Sequence, residues 1–285
     1  MTQPLGGQSK TFLFAAQHSD RYDRQALIRR YEELTGARLI VMVDQIFSHS
    51  TTLLEELLTG ADPEQPLHLM LSSPGGDGEV AVRLVRAMQA RCSRLVIAVP
   101  DMAKSAATIM CMGANEILMT AASDLGPVDP QFPIDGRLVG AKEIEQAVKD
   151  AEERIAKVPE SYPMYAGLLS DVNMLMVEQA RAAMLRSYTL IDEALACSGL
   201  NPADRKKIAE KAKGPLVDDA KSHGATVGPV QARSMGLPVT TVEPDSESWR
   251  LVWALWTRYF SLGAWPAGNV AVYESAQASQ VLRPG

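Results

Sequence analysis

At 285 residues the chain has room for one or two domains of about 150 residues each, and for a core that needs no disulfide support. It carries 28 basic and 34 acidic residues for a net charge of −6, with 46% hydrophobic and 22% charged residues, the balance of an ordinary soluble globular protein. That sign ranks sequence-independent nucleic-acid binding low, because such binders present clustered cations to the phosphate backbone.

The cysteines, Cys92, Cys111 and Cys197, are odd in number and widely spaced, with no CxxC. They read as reduced thiols of a cytoplasmic protein and predict neither a disulfide framework nor a zinc site; no metal and no cofactor are expected. The apolar run Phe12 to Ala16 is too short, and too soon followed by polar residues, to act as a secretory signal. The stretch Trp249 to Phe260 is interrupted by Arg250 and Arg258 and falls far short of the ~20 residues that span a bilayer, so no integral membrane segment is expected.

In chain order, Leu27, Ile28, Tyr31 and Leu34 recur at helical spacing up to Gly36, and RLIVMV (38–43) then reads as a strand. Ser50 is placed to cap a helix through TTLLEELLTG, followed by the strand LHLMLS (67–72), a turn at SPGGDG and an amphipathic helix from Glu79 to Arg91. Leu95 to Val99 is the next strand, then come a helix from about Ser105 to Gly113 and a strand at Ile117 to Met119. Strands alternating with short helices predict an α/β fold with a buried, mainly parallel sheet. After Pro127, Pro130 and Pro133, which predict a loop, three helices follow without strands between them, so the second half is helical. A last strand is expected near Val239, and Ala276 to Gly285 reads as a loose tail.

Three segments can carry chemistry. Ser73-Pro74-Gly75-Gly76 lies where a strand meets a helix, and paired glycines leave N–H groups unobstructed, as an oxyanion site requires; a tight turn is the plainer reading. Ser105 stands at the start of a helix packed with small residues, as either an N-cap or a nucleophile. Asp129, between Val128 and Pro130, is biased toward extended backbone and suits both a turn and the orientation of a histidine.

Among the histidines, His68 sits in a strand, His49 precedes a helix and His18 lies in the N-terminal stretch. His223, in a loop of small residues, is the best-placed base. Lys142, at a helix start, is the alternative base, since a desolvated lysine can deprotonate a serine. Lys104 adjoins Ser105 but is expected to point elsewhere.

Taken together, LHLMLSSPGGDGEVAVRLVRAM, VPDMAKSAATIMCMGANEILMTAASDLGPVDPQF and SHGATVGPVQARSMGLPV resemble the Clp-protease and crotonase superfamily, and within it the serine dehydrogenase proteinase family, over about Ala26 to Val239. The resemblance implies a Clp-protease/crotonase-like fold and a serine peptidase with Ser105 as nucleophile. It implies an oxyanion hole from Gly75, Gly76 and the residue after the serine, Ala106. The Clp histidine falls on Asp129 and the Clp aspartate near His223, so the two partners are exchanged and the order becomes Ser105, Asp129, His223.

Lys104 and the Ala106-Ala107 pair stand where relatives carry a more glycine-rich turn, and the N-terminal membrane segment of some members has no counterpart here. The implied organisation is an N-terminal extension (1–25), a catalytic domain (26–243) and a C-terminal aromatic helix and tail (244–285). In the last segment Trp249, Trp253, Trp256 and Phe260 form a stripe expected to serve as an oligomer contact. The implied partners are a peptide or protein substrate and further copies of the chain. Whether an ATPase or a membrane protein takes part is not legible in the residues. Two other readings use the same residues: acyl-CoA chemistry of the crotonase kind, without a nucleophilic serine, and a catalytically inactive peptide-binding scaffold.

Overall fold

A computed structural model describes residues 11–134, 136–218 and 225–283. Helices α1 (Phe12–Gln17) and α2 (Ser19–Thr35) lead into strand β1 (Arg38–Val43); α3 (Ser48–Leu58), β2 (Leu67–Ser72), α4 (Gly78–Gln89) and β3 (Leu95–Val99) follow. Next come β4 (Met102–Ala103), α5 (Ala106–Met112), β5 (Glu116–Met119), β6 (Asp124–Leu125) and a pair of strands, β7 (Gln131–Ile134) and β8 (Arg137–Gly140). The helical half holds α6 (Ala141–Lys157), α7 (Tyr162–Leu168), α8 (Met174–Cys197), α9 (Pro202–Lys213) and α10 (Pro229–Ser234). The chain closes with β9 (Val239–Thr241), α11 (Glu247–Ser261), β10 (Ala271–Ser275) and β11 (Ser279–Leu282).

One seven-stranded sheet runs β11-β10-β1-β2-β3-β5-β9, parallel from β1 to β9 and antiparallel at β10 and β11. Its central strands are apolar on both faces because both faces are covered. Ile40 and Met42 of β1, with Leu67, Leu69 and Leu71 of β2, enter the larger core against α3, α4, α5 and α8. Leu39, Val41, Val43 and Met70 face the smaller core under α2 and α11. The α/β architecture expected from the alternating strands and helices is the one found.

Three local expectations change. Ser50 lies inside the first turn of α3 and accepts a hydrogen bond from the Phe47 amide (3.1 Å), rather than preceding the helix as its cap. The proline-crowded stretch is a loop through Pro130, as expected, but continues from Gln131 as an antiparallel strand pair, β7 with β8. The expected loose tail is sheet as far as β11, which pairs with β10.

The C-terminal segment is therefore built into the sheet, with β10 directly beside β1. Trp249 and Trp256 of the aromatic stripe are buried in the smaller core, while Trp253 and Phe260 remain about half exposed. Residue 25 falls within α2, whose Arg24 side chain is buried and paired with Glu274 of β10 at 2.7 Å.

Candidate active site

The strand order places the loops that follow β1, β2 and β3 side by side at one end of the sheet, where an open parallel sheet holds its ligands. Strand β4 lies between two partners there. On one side Ser73 donates to Met102 O (3.1 Å) and accepts from Lys104 N–H (3.0 Å); on the other, Met102 and Ala103 pair with Asp124 and Leu125 of β6. Both segments thus hold the residue before Ser105.

Ser105 has φ 50° and ψ −118°, and the Ala107 amide donates to Lys104 O at 2.8 Å. Those angles and that bond define a type II′ turn with Ser105 in its first central position, one that favours glycine because a Cβ is strained there. It is the one non-glycine residue with positive φ among those described. Its side chain caps nothing and makes no hydrogen bond among the described residues, so the hydroxyl is presented rather than consumed, and the residue is partly exposed. The plain reading of a capping serine is thereby removed.

The Gly75–Gly76 turn is shaped around that serine. A Cβ on Gly75, whose φ is 108°, would stand 2.6 Å from Ser105 Cβ and 2.8 Å from Lys104 O; one on Gly76 would meet Ile46 O at 2.2 Å. Both glycines are required by close approach of backbone. The Gly75 N–H donates to Ser73 Oγ (3.1 Å). The Gly76 and Ala106 amides, which carry no hydrogen bond among the described residues, are the available pair.

Thr108 ties the next segment to this turn: its Oγ1 lies 2.7 Å from Ala103 O and 2.8 Å from Gly126 O, and accepts from Gly126 N–H. Gly126 packs on the Lys104 side chain, which turns away from Ser105 to pair with Asp124 (2.8 Å) and to reach Ala225 O (3.2 Å). Asp129, three residues on, is partly buried at the start of α6, where its Oδ2 stands 3.7 Å from the Cβ position of Gly140. Val128 N–H bonds Leu216 O (2.8 Å), and Lys142 donates to Asp218 O. Lys142 borders a cavity of about 390 Å³ between α6 and α8, lined also by Arg181, Met184, Leu185 and Tyr188.

His223 lies outside the described residues. The residues that flank 219–224 are held at this end of the sheet, Asp218 by Lys142 and Tyr188, and Val227 by an antiparallel bridge to Leu125. The other histidines are accounted for elsewhere. His68 bonds the Tyr31 hydroxyl (2.7 Å) and burial lowers its pKa to about 4; His49 pairs with Asp44 (2.9 Å); His18 bonds Phe14 O (2.8 Å).

Sequence reasoning missed Asp101. Both its carboxylate oxygens are buried, beside the Ser72 hydroxyl. Burial raises its pKa from 3.8 to about 6, against the opposing hydrogen bonds of Ser72 and the Met102 amide and with a smaller push from Asp124. The folded state then binds the extra proton between those values, so this group's contribution to stability falls as pH rises from about 4 to about 6 and is flat above. Asp101→Asn is expected to stabilise the protein by up to about 3 kcal/mol above pH 7 and to have no effect below pH 4, read from denaturant midpoints across pH. Among the described residues there is no cluster of metal-ligating side chains and no helix long and apolar enough to cross a membrane.

The ClpP-like SDH-type serine proteinase family matches residues 26–252. Two uncharacterised proteins of Methanocaldococcus jannaschii are similar to the chain, one 25% identical over 194 residues (67% of this chain) and one 23% identical over 220 residues (77%). The chain spans 60% of the length of the first and 67% of the second.

Similar solved structures include the membrane-bound stomatin-specific protease 1510-N in complex with a substrate peptide (16% identity, TM-score 0.44, 74% of this chain and 78% of that one). Another is the ClpP protease catalytic domain from Plasmodium falciparum (9% identity, TM-score 0.43, 78% and 91%). With most of its length matched by that family, the chain belongs to the ClpP-like SDH-type serine proteinases.

Proposed function

We propose that the chain hydrolyses peptide bonds through an acyl-enzyme on Ser105, with His223 as general base and Asp129 orienting it. The observation that carries this reading is the Ser105 turn, in which a strained backbone holds an uncommitted hydroxyl against a glycine loop whose Gly76 amide makes no hydrogen bond among the described residues. In the first step His223 takes the hydroxyl proton as Ser105 Oγ attacks the scissile carbonyl, and the Gly76 and Ala106 amides carry the oxyanion. The C–N bond then breaks with the proton passed to the departing amine. Water, deprotonated by His223, cleaves the ester and restores Ser105. Losing one oxyanion donor in such a site costs ~2.7–4 kcal/mol in the barrier.

Lys142, whose Nζ donates to the Asp218 carbonyl, is the alternative base. An acyl-CoA chemistry without a nucleophile gives no reason for the strain at residue 105. We further place the protein in the cytoplasm as a homo-oligomer. In favour of the latter are the exposed apolar side chains of α7 and α8, among them Leu168, Met174, Leu175 and Leu185.

A fluorophosphonate probe is expected to label the wild type in the peptide that contains Ser105, as read by mass spectrometry; labelling confined to another residue refutes the assignment. His223→Ala is expected to slow ester hydrolysis by at least a thousandfold and Lys142→Ala by less than tenfold. The reverse ranking would transfer the base to Lys142.

A further inference from the structure

The turn between β1 and α3 presses on the glycine loop. At its crest Ile46 N–H donates to Gly75 O (2.8 Å) and Ile46 O accepts from Asp77 N–H (2.7 Å), so its backbone brackets Gly76 on both sides. The crest can locate the Gly76 amide only as well as it is itself located.

Its two feet are tied by one side chain from the far end of the sequence. Antiparallel pairing of β10 with β1 sets Tyr273 opposite Met42, in the larger core. Its hydroxyl lies 2.9 Å from Asp44 Oδ2 at the first foot and 2.8 Å from Ser50 Oγ at the second. The ties continue outward. Asp44 Oδ1 accepts from Gln45 N–H (2.7 Å), Asp44 Oδ2 pairs with His49 Nε2 (2.9 Å), and Ser50 Oγ accepts from Phe47 N–H (3.1 Å). The ring is fully buried, so its hydroxyl cannot exchange these partners for water without opening the sheet edge. Tyr273 also lies beyond the residues that the family matches, 26–252.

We propose that Tyr273 is a positioning residue for the oxyanion loop: through Asp44 and Ser50 it fixes the 44–50 turn, and through Ile46 it fixes Gly76. The catalytic part of this inference rests on the proposed role of Ser105, whereas the mechanical part does not, and the experiment separates them. Tyr273→Phe removes the hydroxyl and keeps the ring. Tyr31→Phe, which removes a similarly placed hydroxyl from the His68 bond on the other face of the sheet, is the control.

Hydrogen exchange in the peptide 72–80 is expected to rise at least tenfold in Tyr273→Phe and to stay at the wild-type rate in Tyr31→Phe. Fluorophosphonate acylation and kcat for an activated ester are expected to fall at least tenfold in Tyr273→Phe, with KM within threefold of wild type. Should Tyr273→Phe fail to fold, Asp44→Ala carries the same expectations. Wild-type exchange in 72–80, or wild-type acylation with a folded variant, overturns the proposal. A wild-type protein that the probe does not label removes the role of Ser105, and the exchange measurement alone then decides whether the brace exists.

Discussion

Ser105→Gly is expected to abolish hydrolysis and probe labelling while leaving the protein as stable as the wild type, or more stable by about 1 kcal/mol. The first half follows from the proposed role of Ser105 as nucleophile; a site stripped of that group falls by orders of magnitude in kcat. The second half follows from the backbone. At φ 50° and ψ −118° an L-residue pays steric strain of order 1–3 kcal/mol, which glycine does not. Against this stands the larger unfolded-state entropy of glycine, about 0.5–1 kcal/mol, and there is no lost hydrogen bond to add, because the Ser105 hydroxyl makes none among the described residues. Ser105→Ala separates the two effects: it removes the hydroxyl and keeps the strain, so it is expected to be inactive at wild-type stability. Denaturant midpoints of the three proteins, with ester turnover, test this. A glycine variant destabilised by 2 kcal/mol or more would mean that the turn is not strained and that its geometry is not a cost carried for catalysis.

The same residue shows what a sequence can and cannot tell. A serine after a strand and before small helical residues reads first as a cap and only second as a nucleophile, and the difference lies in a backbone dihedral that no local pattern states. The element pattern was legible because apolar runs alternating with amphipathic helices leave few ways to bury both faces of a sheet. Short strands such as β4 and β6 were not, since two residues carry no periodicity and their pairing depends on segments far apart in the chain. Tyr273 was hidden for a similar reason: it reaches Asp44 only through the β10–β1 register, and a tail of mixed polar and small residues gives little sign of joining a buried sheet. Asp101 looks in the sequence like a turn residue after Pro100, and only packing shows that its carboxylate is enclosed. The glycine pair is the opposite case. SPGG announced close approach of backbone, and the structure names what approaches, with the first amide bonded to Ser73 Oγ.

Gly75→Ala tests that approach with the smallest possible change. The added methyl would sit 2.6 Å from Ser105 Cβ, 2.8 Å from Lys104 O and 3.3 Å from Ala106 N, and the last two are backbone atoms held by β4 and the II′ turn. They cannot move aside as a flexible side chain would, and at φ 108° alanine is strained even in free space. Relief therefore comes from the glycine loop, which must withdraw from Ser105 and carry the Gly76 amide with it. Overpacking of this kind costs about 1–3 kcal/mol in stability. The barrier is expected to rise by more, about 2.7–4 kcal/mol if the Gly76 donor is lost, which is a fall in kcat of roughly a hundredfold to a thousandfold. Fluorophosphonate acylation measured well below the unfolding midpoint separates the two, because a folded enzyme with a displaced donor acylates slowly at every temperature. Acylation of the alanine variant within threefold of wild type would place the oxyanion site somewhere other than beside Gly76.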